Sequence, residues 1–273
     1  MTLSINSKEN IPDIQSSLDK RLVPISKVGV KDIRFPAKVK VEDKLISSVI
    51  NISMYVDLPA DQKGTHMSRF LEILEEEGQE IDLNFLGDFL DIITERLGAE
   101  TSFVEMDFPI FLEKPAPVTG VTGLLDYEIT VRGRGGKNKD IEMGVKVPVT
   151  TLCPCSKKIS RYGAHNQRSV VGISTRSESA MSPVELIKIA EKHASCDLYP
   201  ILKRADEKYV TERAYENPRF VEDLVRDIAI DLDKLNGVNW FKVSSENFES
   251  IHNHSAYAEI IKDKRDQDVE TRH

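Results

Sequence analysis

One order of patterns, met twice, constrains this chain more than any single motif. From Ser48 the apolar residues fall on every second position: Ile50, Ile52, Met54, Val56 and Leu58. That is the period of a strand with one buried face. The turn Pro59–Gly64 closes the run. Met67, Phe70, Leu71 and Leu74 then follow helical spacing, as do Leu86, Phe89, Leu90, Ile93 and Leu97, so two amphipathic helices come next. Asp82 is placed to cap the second, and Gly98 sits just past its end, where a left-handed residue is needed. Alternation returns at Val104, Met106 and Phe108, and again at Leu125, Tyr127, Ile129 and Val131.

The second half has the same order. Gly133–Asp140 reads as a flexible hairpin loop, and Ile141, Met143, Val145, Val147 and Val149 resume the two-residue period. A strand is expected over 169–175. Ser182, Pro183 and Glu185 spell a helix start with a capping box. A further helix is expected to open at Asn217-Pro218, with the stripe Val221, Leu224, Val225, Ile228, Leu232 and Leu235, and to stop at Asn236-Gly237. Strands near 240–245 and 255–261 finish the pattern. Ahead of it all, Val28–Val41 holds two short apolar stretches split by Pro36, and residues 1–22 form a loose polar arm. The halves share an architecture without a residue-level repeat. Long antiparallel hairpins with paired helices on one face predict an α+β layer structure. The bare sheet face is expected to be covered by a partner subunit.

Size and charge bound the function. At 273 residues, with 40% hydrophobic and 30% charged residues, the chain can build a core without disulfides. The net charge of −8 argues against a nucleic-acid binder, which carries a basic field, but leaves room for a small anion in a local basic pocket. No apolar run approaches the roughly 20 residues of a membrane helix. The first residues carry no basic start, apolar stretch or cleavage site. The expectation is a cytoplasmic protein without membrane or nucleic-acid partners. Three cysteines then read as thiols or metal ligands.

The chemistry is concentrated in Thr151–Ser169, which follows the best-patterned strand. It holds Cys153, Cys155 and His165 together with Lys157, Lys158, Arg161 and Arg168. Thiol and neutral imidazole are soft ligands for zinc or ferrous iron. There is no C-x-x-C knuckle for a closed structural site. A catalytic metal needs three protein ligands, and Cys153 or Cys155, His165 and one carboxylate would supply them. Spacing does not choose between the two cysteines, and both also suit half-buried packing positions. Cys196 reads as core. His193 lies late in a helix, where a cation suits the dipole. His66 precedes a helix, and His252 and His254 fall between the last two strands. Residues 199–222 are too charged for core and too long for a tight turn. Most of their charges fit a solvated network; Glu207 could complete a metal site, and Glu222 is a carboxylate in the first turn of a helix.

Several stretches together, TLCPCSKKISRYGAHNQRS (151–169), YPILKRADEKYVTERAYENPRFVEDLVRD (199–227), ESIHNH (249–254), GTHMSRFLE (64–72) and IPDIQ (11–15), resemble the type IB GTP cyclohydrolases over nearly the whole chain. The resemblance implies tandem tunnelling-fold (T-fold) units, here 23–138 and 139–273, the second carrying most of the active site. It implies a homotetramer with active sites at subunit interfaces. It implies conversion of GTP and water to 7,8-dihydroneopterin triphosphate and formate, the first step of folate and pterin biosynthesis. One divalent metal per site, with zinc placed ahead of manganese or iron, falls to Cys153, His165 and Glu207. Glu222 anchors the guanine and His252 transfers protons. Lys157, Lys158, Arg161, Arg168, Lys203, Arg204 and Arg213 are the cations available to the triphosphate, and Cys155, His66 and His254 receive no role. Two alternatives stand beside this: a nitrile-reducing enzyme of the same fold, and a zinc-stabilised binding module.

Overall fold

The computed structural model of the chain describes residues 14–15, 17–177 and 180–265. Most of the expected N-terminal arm, residues 1–13 and 16, lies outside the described residues, as do His273 and the rest of 266–273. The first half runs β1 (Ile25–Val41), β2 (Lys44–Leu58), α1 (Met67–Glu77), the short β3 (Glu80–Asp82), a 3-10 turn at Leu83–Phe85, α2 (Leu86–Leu97), β4 (Ser102–Pro115) and β5 (Thr122–Arg134). The second runs β6 (Asp140–Leu152), α3 (Pro154–Ile159), β7 (Asn166–Ser177), α4 (Pro183–His193), β8 (Cys196–Asp197), α5 (Arg204–Glu216), α6 (Val221–Asp233), β9 (Val238–Asn247) and β10 (Ala256–Asp263).

All the long strands join one sheet in the order β10-β9-β7-β6-β5-β4-β2-β1-β3, with β8 paired to β6. Long neighbours are antiparallel, and β3 alone lies parallel to its neighbour β1. Each half therefore lays four long strands in a row and sets its longer helices between the second and third, the short α3 falling between β6 and β7. The sheet passes from one half to the other without a break, since β5 pairs β6 from Glu128↔Lys146 to Arg134↔Asp140. The fold is α+β. One core joins both halves: Ile50, Ile52, Met54, Val104, Met106, Ile129, Val131, Met143, Val145, Val147 and Ile173 pack with Phe70, Ile73, Leu90, Ile93, Leu186, Leu224 and Ile228. The alternate residues make the opposite face. It is polar, with Arg132 donating to both oxygens of Asp107, Lys146 paired to Glu128 at 2.7 Å and Lys242 to Glu259 at 2.6 Å.

The strand and helix expectations hold in the main, with corrections. Asp82 caps the 3-10 turn at Leu83–Phe85, accepting from Asn84 N–H at 2.9 Å, and α2 itself begins at Leu86. The last helix ends at Asp233, ahead of the expected stop at Asn236-Gly237. Pro36 does not split β1; it sits inside a 17-residue strand opposite Val49. A proline is tolerated there because the far edge of β1 is paired only over Lys38–Lys40. Ser182 does stand at the N-cap of α4 with Pro183 following, but its hydroxyl makes no cap bond, so the capping box does not form. The last helix opens at Val221, three residues late, because Asn217 is spent closing α5 and its amide donates to the Ala194 carbonyl at 2.8 Å. The charged stretch 199–222 is largely helix α5, which shows no apolar stripe because only Asp206 and Ala214 along it are buried.

A polar lock ties the halves together. Lys114 of β4 reaches Glu191 of α4 and Asp197 of β8, the latter at 2.9 Å; Tyr127 of β5 donates to Glu191 at 2.8 Å, and the Tyr199 ring lies 5.1 Å from the ammonium. Lys114 and Glu191 are 12% and 13% exposed. Burial pushes the Glu191 carboxyl up, against the pull of Lys114. Removing one member strands a desolvated charge, which costs more than the pair contributes. Lys114→Met is expected to lower stability by about 3 kcal/mol, read as a lower urea midpoint at unchanged slope; an unchanged midpoint would show the lock to be energetically idle.

Candidate active site

The site forms where the apolar inner stripe of three neighbouring strands turns polar. Along β6 the buried face reads Val147, Val149, Thr151; along β7, Ile173, Val171, Ser169, Gln167; along β9, Phe241, Val243, Ser245, Asn247. Each polar residue is at most 6% exposed, so each needs a partner. Thr151 and Ser169 share a hydrogen bond of 2.7 Å, Gln167 Nε2 donates to Thr151 Oγ1 at 2.9 Å, and Ser245 donates to Asn247 at 3.2 Å.

Directly beyond this layer stand Cys153 and His165. The β6–β7 ladder ends at Leu152↔Asn166, and one more bond, from Cys153 N–H to the His165 carbonyl at 3.1 Å, clamps the two residues side by side. Between them the chain makes α3, which Pro154 starts in the first helical position and Cys153 caps, its Sγ accepting from Ser156 N–H at 3.5 Å. Ser156 Oγ accepts in turn from His165 N–H at 3.2 Å. His165 Nδ1 faces Gln167 Oε1 at 3.1 Å and lies 3.9 Å from a carboxylate oxygen of Glu249. Cys153 and His165 are half-buried, whereas Cys155 is exposed. Cys196 is buried against Leu152 and Ala214, as expected of core, and burial pushes its thiol up.

Three other segments converge on the same end of the sheet. The β9–β10 loop begins with Phe248 N–H bonded to the Arg168 carbonyl, brings Glu249 to His165, and then carries His252, exposed and stacked on His254 with ring centroids 5.0 Å apart. Arg219 N–H bonds to the Leu152 carbonyl at 3.0 Å, docking the start of α6 beside Cys153. Glu222 follows in the exposed first turn of α6. Helix α5 packs Val210 and Ala214 against Leu152 and Ala164. Glu207 precedes Val210 by three residues and Ala214 by seven, so it shares that helix face, one turn nearer the N-terminus and exposed. Cys153 and His165 are thus brought together. Among the described residues, no three His, Cys, Asp or Glu side chains converge as a metal-holding group, and Glu207 stands apart from the pair.

The cations differ in their freedom. Lys157 donates to the Tyr215 carbonyl and lies 4.3 Å over that ring, bracing α3 on α5. Lys158, Arg161, Arg168, Lys203, Arg204 and Arg213 are exposed. Of the unassigned histidines, His66 stands at the N-cap of α1, and His193 closes α4 with Nε2 at 2.7 Å from Asp231. The sequence reading passed over Gln167 and Glu249. A signal existed for Gln167, because the alternation Ile173, Val171, Ser169, Gln167 puts a polar amide on a buried parity. Glu249 lies in a loop, where parity says nothing.

Three comparisons bear on what the site belongs to. Residues 11–258 match the protein family described as type I GTP cyclohydrolase FolE2. The GTP cyclohydrolase FolE2 of Cupriavidus necator is 51% identical over 263 residues, covering 96% of this chain and 98% of that one. That of Geobacter sulfurreducens is 50% identical over 256 residues, covering 93% and 99%. Among solved structures, a uricase from Bacillus fastidious is similar in fold, with a TM-score of 0.53 over 90% of this chain and 95% of that one, at 8% identity.

Asp206, next to Glu207, holds the start of α5 in place. Its carboxylate is fully buried and accepts from the backbone N–H groups of Val118, Thr119 and Lys203 and from the Thr119 hydroxyl, at 2.7–2.9 Å. Burial pushes the Asp206 carboxyl up, but these bonds, led by Thr119, outweigh it and hold it well below the usual carboxylate range. Its contribution to stability is therefore fully present above the unfolded value of about 3.9 and is lost as pH falls toward the folded one. Asp206→Asn is expected to lower the urea midpoint near pH 7 and to flatten its decline between about pH 5 and pH 3. A variant whose curve runs parallel to wild type would remove Asp206 from the acid limb.

Proposed function

The chain belongs to the type I GTP cyclohydrolase FolE2 family and is a GTP cyclohydrolase, and from that premise we propose how its residues divide the reaction. GTP and water give 7,8-dihydroneopterin triphosphate and formate: the guanine imidazole ring opens, its carbon leaves as formate, and the remaining atoms close a dihydropterin. The observation that carries the reading is the clamp that holds a half-buried thiol beside a half-buried imidazole at the end of β6 and β7.

Glu222 recognises the base. Guanine presents a ring N–H and an amino group side by side, and one ionised carboxylate accepts from both. The first turn of α6, where the helix dipole favours an anion, suits a carboxylate kept charged. His252 transfers protons during ring opening and formate release, since an imidazole exchanges protons near neutral pH; its exposed loop begins at Glu249, beside His165. The exposed cations Lys158, Arg161, Arg168, Lys203, Arg204 and Arg213 draw in the triphosphate, and Lys157 adds charge while it braces α3.

Cys153 and His165 fit a borderline-soft divalent ion by donor chemistry, and Glu207 is the carboxylate proposed to join them. Zinc is the first choice, with manganese and iron the alternatives. What such an ion supplies when bound is water with a pKa lowered to about 7. The backbones of Cys153 and His165 are already clamped side by side, and Glu207 would have to close on them. We also propose that the halves 23–138 and 139–273 are two T-fold units, a reading supported by their matching four-strand rows and by the fold shared with the uricase. Four copies assemble with sites between them, which would wall in the exposed Glu222 and His252 and cover Phe111, Leu124, Tyr257 and Ile261, each more than 40% exposed. Three free thiols suit a reducing compartment, so the cytoplasm is the proposed location. No helix among the described residues is long and apolar enough to cross a membrane. No observation favours the nitrile-reducing or the non-catalytic alternative.

Incubation with GTP and a divalent metal is expected to release formate and a fluorescent pterin in equal amounts. Cys153→Ala should abolish turnover in a protein that still folds; retained turnover would reject Cys153 as a ligand. Glu222→Gln should weaken guanine-nucleotide binding by about 1.5–3 kcal/mol, the worth of a hydrogen bond to a charged group, and unchanged binding would reject the anchor role.

A further inference from the structure

His165 has two ring nitrogens, and the neutral ring carries one hydrogen. Which nitrogen holds it decides which one has a lone pair to offer. Among the described residues, the buried polar layer engages the ring at Nδ1, through the Gln167 amide at 3.1 Å. Gln167 is 6% exposed and does not act alone. Its Nε2 donates to Thr151 Oγ1 at 2.9 Å, and Thr151 shares a 2.7 Å bond with Ser169, both of them fully buried. That leaves Gln167 Oε1 as the atom facing the ring. The Glu249 carboxylate, 3.9 Å from the same Nδ1, favours hydrogen on that nitrogen as well, because a negative oxygen is stabilised by a donor and not by a lone pair.

We infer that Gln167, braced by Thr151 and Ser169, is a positioning residue that fixes His165 with its hydrogen on Nδ1 and a free lone pair on Nε2. Thr151, Gln167 and Ser169 continue the parity that buries Val147, Val149, Val171 and Ile173, so their polar groups carry a desolvation cost that apolar residues would not. The chain of bonds spans two strands and ends on one imidazole atom. The inference rests on the proposed role of His165 as a metal ligand for its consequence: a ligating histidine whose other nitrogen donates to the protein is held in one tautomer and one ring orientation. Its structural content stands without the metal.

The full-length chain, labelled with nitrogen-15 in histidine and stripped of metal, tests it. At about pH 8.5, two units above the ordinary imidazole value, the His165 signals, identified by their loss in His165→Ala, should show a protonated Nδ1 and an unprotonated Nε2. In Gln167→Leu the ring should move to a mixture of tautomers or to the reverse one, and the dissociation constant for zinc or manganese alone should rise about 10–100-fold. Gln167→Glu should restore the tautomer and most of the affinity, because a carboxylate oxygen accepts the same hydrogen and the Thr151 hydroxyl can turn to donate. If Gln167→Leu does not fold, Thr151→Val removes the brace and keeps the amide, and the wild-type spectrum remains decisive. A wild-type His165 with hydrogen on Nε2 would mean that the amide is reversed and would overturn the inference. So would an unchanged tautomer and affinity in Gln167→Leu. Failure of the metal reading looks different: wild type would bind zinc and manganese no better than Cys153→Ala, while the tautomer still followed Gln167.

Discussion

The register between β6 and β7 is the constraint on which the rest of the molecule depends. Side chains alternate faces along a strand, so a slip of one residue would turn every buried side chain outward. Here the register is fixed over twelve pairs, from Ile141↔Ser177 to Leu152↔Asn166. Along it Val145, Val147 and Val149 face the helices together with Ile173 and Val171. The same alternation, carried toward the Leu152↔Asn166 end of the ladder, brings Thr151 on β6 and Ser169 and Gln167 on β7 onto the buried face. One step beyond that it delivers Cys153 and His165. The core therefore aims the site: its apolar residues pay for the register, and the polar residues at its end inherit the geometry.

A buried polar layer is costly if any of its atoms is left without a partner. This one lies between an apolar core and a group of exposed charges; its side chains are matched across β6 and β7 by Thr151, Gln167 and Ser169, and within β9 by Ser245 and Asn247. That arrangement keeps solvent-facing chemistry at Cys153 and His165 without opening the core beneath them. The surrounding segments are anchored in the same way, by backbone groups and not by reactive side chains. Arg219 N–H holds the start of α6 to Leu152, Phe248 N–H holds the β9–β10 loop to Arg168, and Asp206 gathers the β4–β5 turn onto α5. Glu222, His252 and Glu207 are exposed beside these anchors.

Much of this was legible in the amino-acid sequence wherever burial imposes a period. The paired helices and long strands declare themselves because Leu90, Ile93, Val131 and Val147 must face the same core. Helix α5 does not declare itself: Arg204, Lys208, Glu212 and Glu216 leave it almost no apolar face, and its stability comes from Asp206 at one end and Ala214 against Leu152. Helix α3 is too short to show a period. Cys153 and His165 stand out as residue types, but their adjacency depends on a backbone bond at the end of a ladder, which composition does not reveal. Glu249 is hidden for a further reason, since its position follows from where a loop lands on another strand.

The exposure of the site residues falls into two classes, and the division is itself informative. Cys153, His165 and Gln167 are held by their own chain and shielded, whereas Glu207, Glu222, His252 and six of the seven nearby cations are exposed. A nucleotide bearing a triphosphate approaches a protein of net charge −8, so long-range attraction has to come from a local field. Under the roles proposed for them, the exposed cations Lys158, Arg161, Arg204 and Arg213 would supply it. A low-dielectric wall around those charges would strengthen their hold, and among the described residues Glu222 and His252 are exposed. A half-buried pair fixed by the core, with exposed charged residues on α5, α6 and the β9–β10 loop, is the arrangement expected if a second copy closes the candidate site.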